Sequence, residues 1–389
     1  MGVYANTVSI TQFTVTGELP KAELFEWFSK KLSVRCFQSI ENSTEEFSEG
    51  WTLVDKPDDA SFEIPSEFWR DNYIVFSLRR DQRKIPAAVL KSHAAREEGL
   101  FLAQNPNLRR TPKHKREEIK EQVQLRLMTR CLPVPSTVDV VWDLKNSVLT
   151  LFSLGTKVID RFEDIFRKTF EGFSPVIIHP FARARKLLDG QLLDSLEAAN
   201  QAGSDAVVAL IRDNQWLGWE FMLWLLQRGV TGEGNFSICC PGHIPNGERF
   251  SAWIDDRIQF QGGGEEGGIQ KVTVSGSQDS YLEAISALKG GKRITSATIC
   301  IEKDENPWKL TLKGDTFGLA SFKCPQVRVE KDATVDQMSE REAVFYERMY
   351  LMDQGIQLFD SLFTTYLNER LTDAWNGRLL AIQAWLDGE

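Results

Sequence analysis

The residues with the clearest chemical capacity in this sequence are cations. Between Arg79 and Arg130, fourteen Lys and Arg stand against six Asp and Glu, a local charge of +8 in a 389-residue chain whose formal charge is −9, so the remainder carries −17. Ammonium and guanidinium groups at such density displace counterions from a polyphosphate, and this depends on the local field, not the sum. The tightest cluster is LRRTPKHKR, where Arg109, Arg110, Lys113, Lys115 and Arg116 fall within nine residues. Arg79, Arg80, Arg83 and Lys84 precede it, and Lys120 and Arg130 follow. A charge-rich helix face is usually just solvated. Here the concentration of cations in one stretch of an acidic chain favours phosphate contacts. Base reading is not expected, because no capped recognition helix presents Asn, Gln and Arg at helical spacing.

Other constellations are weaker. Asp139, Asp143 and Lys145 resemble the acid–acid–Lys arrangement that holds a metal and orients water in nucleases, which keeps a metal-dependent DNA nuclease open as an alternative. The spacing also suits a turn with a local ion pair. Gly262, Gly264 and Gly267 satisfy G-x-G-x-x-G, but Glu265 and Glu266 would repel an anion and the strand-like IQKVTV follows where a helix should open. A flexible strand connection suits it better than a nucleotide loop. Cys239 and His243 have metal-like spacing without a second pair of ligands nearby, so no metal or other cofactor is expected. No Ser-His-Asp pattern or P-loop occurs.

The elements that must position the cations follow from periodicity. VSITQFTVTG alternates as a strand, AELFEWFSKKL turns helical, and Tyr73 to Leu78 forms a further strand, so 1–78 reads as an α+β region. Residues 79–134 read as a helical hairpin. Pro86 opens its first helix and Asn105-Pro106-Asn107 ends it. Thr111-Pro112 supplies a cap and a first-turn proline for the second helix, in which Ile119, Val123, Leu127 and Cys131 recur every four residues. Pro133 and Pro135 stop it. Residues 135–190 read as a β-hairpin (Val138 to Trp142, Ser147 to Phe152) and a core helix bearing Val158, Ile159, Phe162, Ile165, Phe166 and Phe170. Residues 191–330 read as an inserted β-rich region. Residues 331–389 read as helical, with Phe345, Met349, Met352, Ile356, Phe359, Phe363 and Tyr366 spaced 4-3-4-3-4-3, a seam that suits its own domain or a partner helix.

The order RRDQRKIPAAVLK, then KREEIKEQVQLRLMTRCLP, then VDVVWDLKNSVLTLFS and IFRKTF…FSPVIIHPF resembles the middle of the RdgC family, most closely over residues 73 to 180. FMLWLLQRG and FSAWIDDR resemble only its longer members. The resemblance implies an α+β, ring-forming fold. It also implies a homodimer closed at two contacts around a basic hole, which binds double-stranded DNA without sequence preference and restrains a recombinase. On that view the chain is not an enzyme and is nucleoid-associated. Family members also carry an apolar residue after a Pro-Arg-Ala segment that wedges at the DNA. Here the segment reads Thr129-Arg130-Cys131-Leu132, so Leu132 stands where the family has an aromatic and Thr129 replaces the proline. Leu132 therefore reads either as a wedge or as core.

The composition agrees with a folded, cytoplasmic protein: 42% of residues are apolar, and 24 Phe and 11 Trp supply core material. Six cysteines without a CxxC pair read as reduced thiols. Trp216 to Leu226, the most apolar run, is too short to span a bilayer, so no membrane partner is expected. A protein-interaction scaffold is the third reading, for the case in which the hairpin charges contribute nothing to binding.

Overall fold

The computed structural model describes residues 2–43, 45–263, 268–276, 281–327 and 337–388. Gly264 and Gly267 of the glycine motif, and Val335 at the expected start of the last helix, lie outside them. The chain first forms β1 (Thr7–Thr16), α1 (Leu24–Val34), β2 (Phe47–Thr52), α2 (Pro65–Phe68), β3 (Trp69–Arg70) and β4 (Tyr73–Arg83). There follow α3 (Ala87–Gln104), α4 (Lys113–Met128), β5 (Pro133–Asp143), β6 (Val148–Leu151), α5 (Thr156–Thr169) and β7 (Ser174–Ile177). Next come α6 (Pro180–Leu187), α7 (Gly190–Ala198), α8 (Val207–Asp213), α9 (Trp216–Val230), β8 (Asn235–Ser237), β9 (Arg249–Gly263) and β10 (Ile269–Ser275). The chain closes with α10 (Leu282–Lys289), β11 (Arg293–Lys303), β12 (Asn306–Lys313), β13 (Leu319–Lys323), α11 (Gln337–Arg370) and α12 (Ala374–Asp387). The fold is α+β, and the described pairings between these strands are antiparallel. Two compact units emerge, one of residues 17–145 with 162–173 and one of residues 1–16, 146–161 and 174–389.

In the unit of residues 17–145 and 162–173, β4 lies between β2 and β5 and also pairs with β3. Ile74, Val75 and Phe76 on β4 are fully buried. Aromatic side chains fill this core. Phe28 of α1 meets Trp142 edge-on at 5.4 Å, and Trp142 meets Phe166 and Phe170 at 5.4 and 5.5 Å. The Trp51 indole donates to Thr169 Oγ1 at 2.9 Å, which satisfies a polar atom that burial would otherwise leave costly.

β4 is longer than its apolar run suggests. It continues through Arg79 to Arg83, and every residue from Tyr73 to Arg83 pairs with one between Asp143 and Pro133. The first basic residues are therefore strand, with Arg79, Asp81 and Arg83 buried at period two. The helical hairpin grows from the end of this ladder, between Arg83 and Pro133. Its second helix also starts differently from expectation. Pro112 takes the cap position, and the Thr111 hydroxyl is buried without a hydrogen-bond partner among the described residues.

In the other unit the strand order is β10-β9-β11-β12-β13-β1-β6, with β7 on β1 and β8 on β9. The region 191–330 supplies β8 to β13, and β13 pairs with β1 through Thr7, Val8 and Ile10, so it shares a sheet with the first strand. Helix α9 packs closely against this layer. A Cβ on Gly218 would lie 2.0 Å from the Gly314 carbonyl oxygen, so only glycine allows this approach. The seam of α11 is buried within the same unit: Phe359 and Phe363 meet Phe221 at 6.0 and 5.3 Å. At Gly355 a Cβ would strike Trp308 and Phe322, so α11 also crosses the layer at a glycine.

His179, at the head of α6, is 2% exposed, its Nδ1 has no hydrogen-bond partner among the described residues, and burial holds its pKa down at about 4, below the usual 6.5. The unfolded chain therefore binds a proton between these values that the folded chain refuses. The neutral imidazole's stability is fully present above about pH 6.5 and is lost as pH falls toward 4, to a limit of about 3 kcal/mol. Urea unfolding at pH 7 and pH 5 should show the loss, and His179→Gln should flatten that dependence. An equal pH response in the variant would refute the assignment.

Candidate nucleic-acid interface

The hairpin has a slender core of its own. Ile119, Val123 and Leu127 of α4 are buried and pack with Ile85, Leu90 and Phe101, whereas Cys131, the fourth residue of the expected stripe, is only half-buried. No residue of α3 is fully buried. Arg116 pairs with Glu98 at 3.2 Å and Arg126 with Glu97 at 2.8 Å, tying the helices together through exposed contacts that contribute at most about 1 kcal/mol each. Asn105 Nδ2 donates to the Phe101 carbonyl at 2.9 Å and closes the end of α3.

The twelve residues anticipated at the interface separate into three groups. Arg79, Arg80 and Arg83 are committed internally. Arg79 donates to both oxygens of the buried Asp81 at 2.8 and 2.9 Å and to Asp58 at 2.5 Å, and these bonds, Asp81 first, hold its guanidinium above its ordinary range. Arg80 pairs with Glu49 at 2.5 Å and lies over the Phe47 ring. Arg83 is 4% exposed and donates to the carbonyls of Ile40 (2.7 Å), Glu41 (3.2 Å), Ser43 (3.1 Å), Glu45 (3.2 Å) and Cys131. Its charge is spent on backbone oxygens.

The second group is the tip. Arg109, Arg110 and Lys113 are exposed and make no ion pair among the described residues, as does Lys120 two turns along α4. Arg116 is exposed but shared with Glu98, and the half-buried Lys115 is engaged by Glu118 at 2.8 Å. The third group is the foot, where Lys84, Arg130 and Leu132 are exposed beside the last pair of the β4–β5 ladder. Leu132 is 80% exposed, which removes the core alternative. Cys131, between Arg130 and Leu132, is the residue whose carbonyl Arg83 holds, so Arg83 positions the foot without touching a ligand. That role has no sequence signal beyond an arginine inside a strand. Tip and foot stand at opposite ends of a 16-residue helix, about 24 Å at 1.5 Å per residue. This equals about seven base-pair steps of a duplex.

The acids of the nuclease alternative do not converge. Asp139 and Asp143 lie four residues apart on β5, which places them about 13 Å apart along one face. Asp139 is buried and accepts from Ser77 at 2.7 Å, whereas Lys145 is exposed in the turn that follows. His243 sits 3.7 Å from Asp353, not in a ligand set with Cys239. Among the described residues no three His, Cys, Asp or Glu gather as a metal site, and no helix is long and apolar enough to cross a membrane.

Residues 10–199 match the model of a protein family described as "Putative exonuclease, RdgC". The match takes in the hairpin with both strands that carry it and ends with α7. No curated protein matches the chain.

Two substitutions separate foot from core. Leu132→Ala should change stability by no more than about 0.5 kcal/mol, as for other exposed side chains. Leu127→Ala should cost about 2–4 kcal/mol by opening the small hairpin core. Arg83→Met leaves its carbonyls without a donor and should cost at least about 3 kcal/mol. Urea unfolding measures all three, and a neutral Arg83→Met would refute the positioning role.

Proposed function

As the chain belongs to the RdgC family through residues 10–199, we propose that it binds double-stranded DNA without sequence preference as a homodimer that encircles the duplex. In this reading it acts in homologous recombination by restraining a recombinase on nucleoid DNA, and it does so without turning over a substrate. Family membership itself implies a recombination-associated, DNA-binding role. The observation that carries the finer reading is the tip: Arg109, Arg110 and Lys113, with Lys120 two turns along α4, are exposed cations with no ion pair among the described residues, whereas Arg79, Arg80 and Arg83 on β4 are held internally. Lys84 and Arg130 at the foot would hold phosphates further along the backbone, and Leu132 between the strands' ends is free to press on a base step.

The description of the matching family supports a second reading, an exonuclease. One experiment addresses both. Binding to linear and closed-circular duplexes of unrelated sequence is measured over a salt series, with the mass in solution and with Mg²⁺ present. A dimer with a steep salt dependence is expected, and Arg109→Glu, Arg110→Glu and Lys113→Glu together should lower the log–log slope by about 3. Mg²⁺-dependent shortening of the linear DNA would establish the exonuclease instead. An unaltered slope in the triple variant would remove the tip from the interface.

A further inference from the structure

The 191–330 region holds a cavity of about 610 Å³, the size of a small-ligand site, between α9 and the outer face of β9 to β12. Its floor follows from strand register. Lys271 of β10, Gln261 of β9 and Arg293 of β11 stand opposite one another across three strands. One step along, Gln259 of β9, Ser296 of β11 and Lys313 of β12 form a second row. The alternate residues Ile258, Phe260, Ile294, Ala297 and Leu312 are buried on the other face, so the core fixes which side chains form the floor. Gln215, which caps α9, and Trp219 of α9 make the wall, and the guanidinium of Arg293 lies 4.4 Å from the Trp219 ring centroid.

Two features point to a ligand. Among the described residues, Lys271, Arg293 and Lys313 have no carboxylate partner and the lining includes a single acid, Asp315, which accepts from the backbone N–H and hydroxyl of Thr316. The cavity thus favours an anion. Ser296, one of the lining residues, is 3% exposed, and its buried Oγ has no hydrogen-bond partner among the described residues, an uncompensated polar atom at the cavity wall. A β-bulge between Ile294 and Ser296 interrupts the ladder at this point.

We propose that this cavity binds a nucleoside monophosphate unit, with its phosphate held by Lys271, Arg293 and Lys313. The flat Arg293–Trp219 pair lies against the base, and the amides of Gln259 and Gln261, each both donor and acceptor, meet its edge or the sugar. Recognition is by a sheet face and needs neither a helix N-terminus nor a glycine loop. The unit comes either from a free nucleotide or from the phosphorylated end of a strand. The site is separate from the hairpin cations, so its failure would leave the reading of the hairpin intact.

The test is calorimetric titration of the full chain carrying Arg109→Glu, Arg110→Glu and Lys113→Glu, which removes the tip cations. The probes are dTMP, inorganic phosphate, and a short oligothymidylate with a 5′-phosphate or a 5′-hydroxyl. One dTMP per chain is expected, bound more tightly than phosphate and weakened about tenfold or more by Arg293→Gln or Lys313→Gln, the loss of one charge-assisted contact. Binding of the 5′-phosphorylated strand alone, with the same response to both variants, supports the strand end as the source. Either variant binding as the parent does, phosphate binding as tightly as dTMP, or no probe binding overturns the proposal. Both substitutions are at solvent-accessible side chains, and unchanged urea unfolding checks that the fold survives them.

Discussion

Several backbone carbonyls converge on one buried guanidinium, and the hairpin's attachment depends on that convergence. Arg83 binds the 40–45 segment and the turn after α4 at once, closing the β4–β5 ladder where two helices leave it. A buried charge is tolerable only when its donors are satisfied, and each carbonyl here would itself be costly without one. Neither side can be changed alone. The neighbouring pair Arg79 and Asp81 repeats the logic one step back along the strand, so the ladder ends in ionic contacts where β4 began in apolar ones.

This arrangement explains how an acidic chain can present a basic surface. On β4, Arg79, Arg80 and Arg83 are held internally, whereas Arg109, Arg110 and Lys113 at the hairpin tip make no ion pair among the described residues. The field therefore concentrates at the tip and the foot, not over the +8 stretch as a whole. The slender core of α3 and α4 is enough to carry these charges, because the helices need only hold them apart.

Much of this was legible in the sequence. The α+β class, the two helices, the break at Asn105 to Asn107, and Ile119, Val123 and Leu127 of the apolar stripe followed from periodicity and proline placement, whereas α4 ends at Met128, before Cys131 and well short of Pro133, which opens β5. The likeness to the family whose model matches residues 10–199 was legible from the residues around the hairpin. The fate of individual cations was not: RRDQR reads as a solvated basic run, yet pairing with β5 imposes period two and turns Arg79 and Arg83 inward. Tertiary partners such as Asp58 and the Ile40 carbonyl lie far from these arginines in sequence, and no local pattern announces them. The polar floor of the cavity was equally hidden, since its two rows exist only once four strands are in register.

The pairing of β1 with β13 also constrains how the molecule is made. Strand β1 can dock with β6 and β7 soon after they leave the ribosome, but Val8 and Ile10 must wait for Leu319 and Phe322. About 140 further residues separate these events, roughly 10–30 s of synthesis at ordinary rates. The unit of residues 17–145 and 162–173 has its whole chain by residue 173. During the interval the nascent polypeptide displays an apolar strand edge, a template for pairing with another chain. Demand for chaperone protection should therefore peak late in translation, and a C-terminal truncation before β13 would be more hazardous to the cell than its lost activity alone implies.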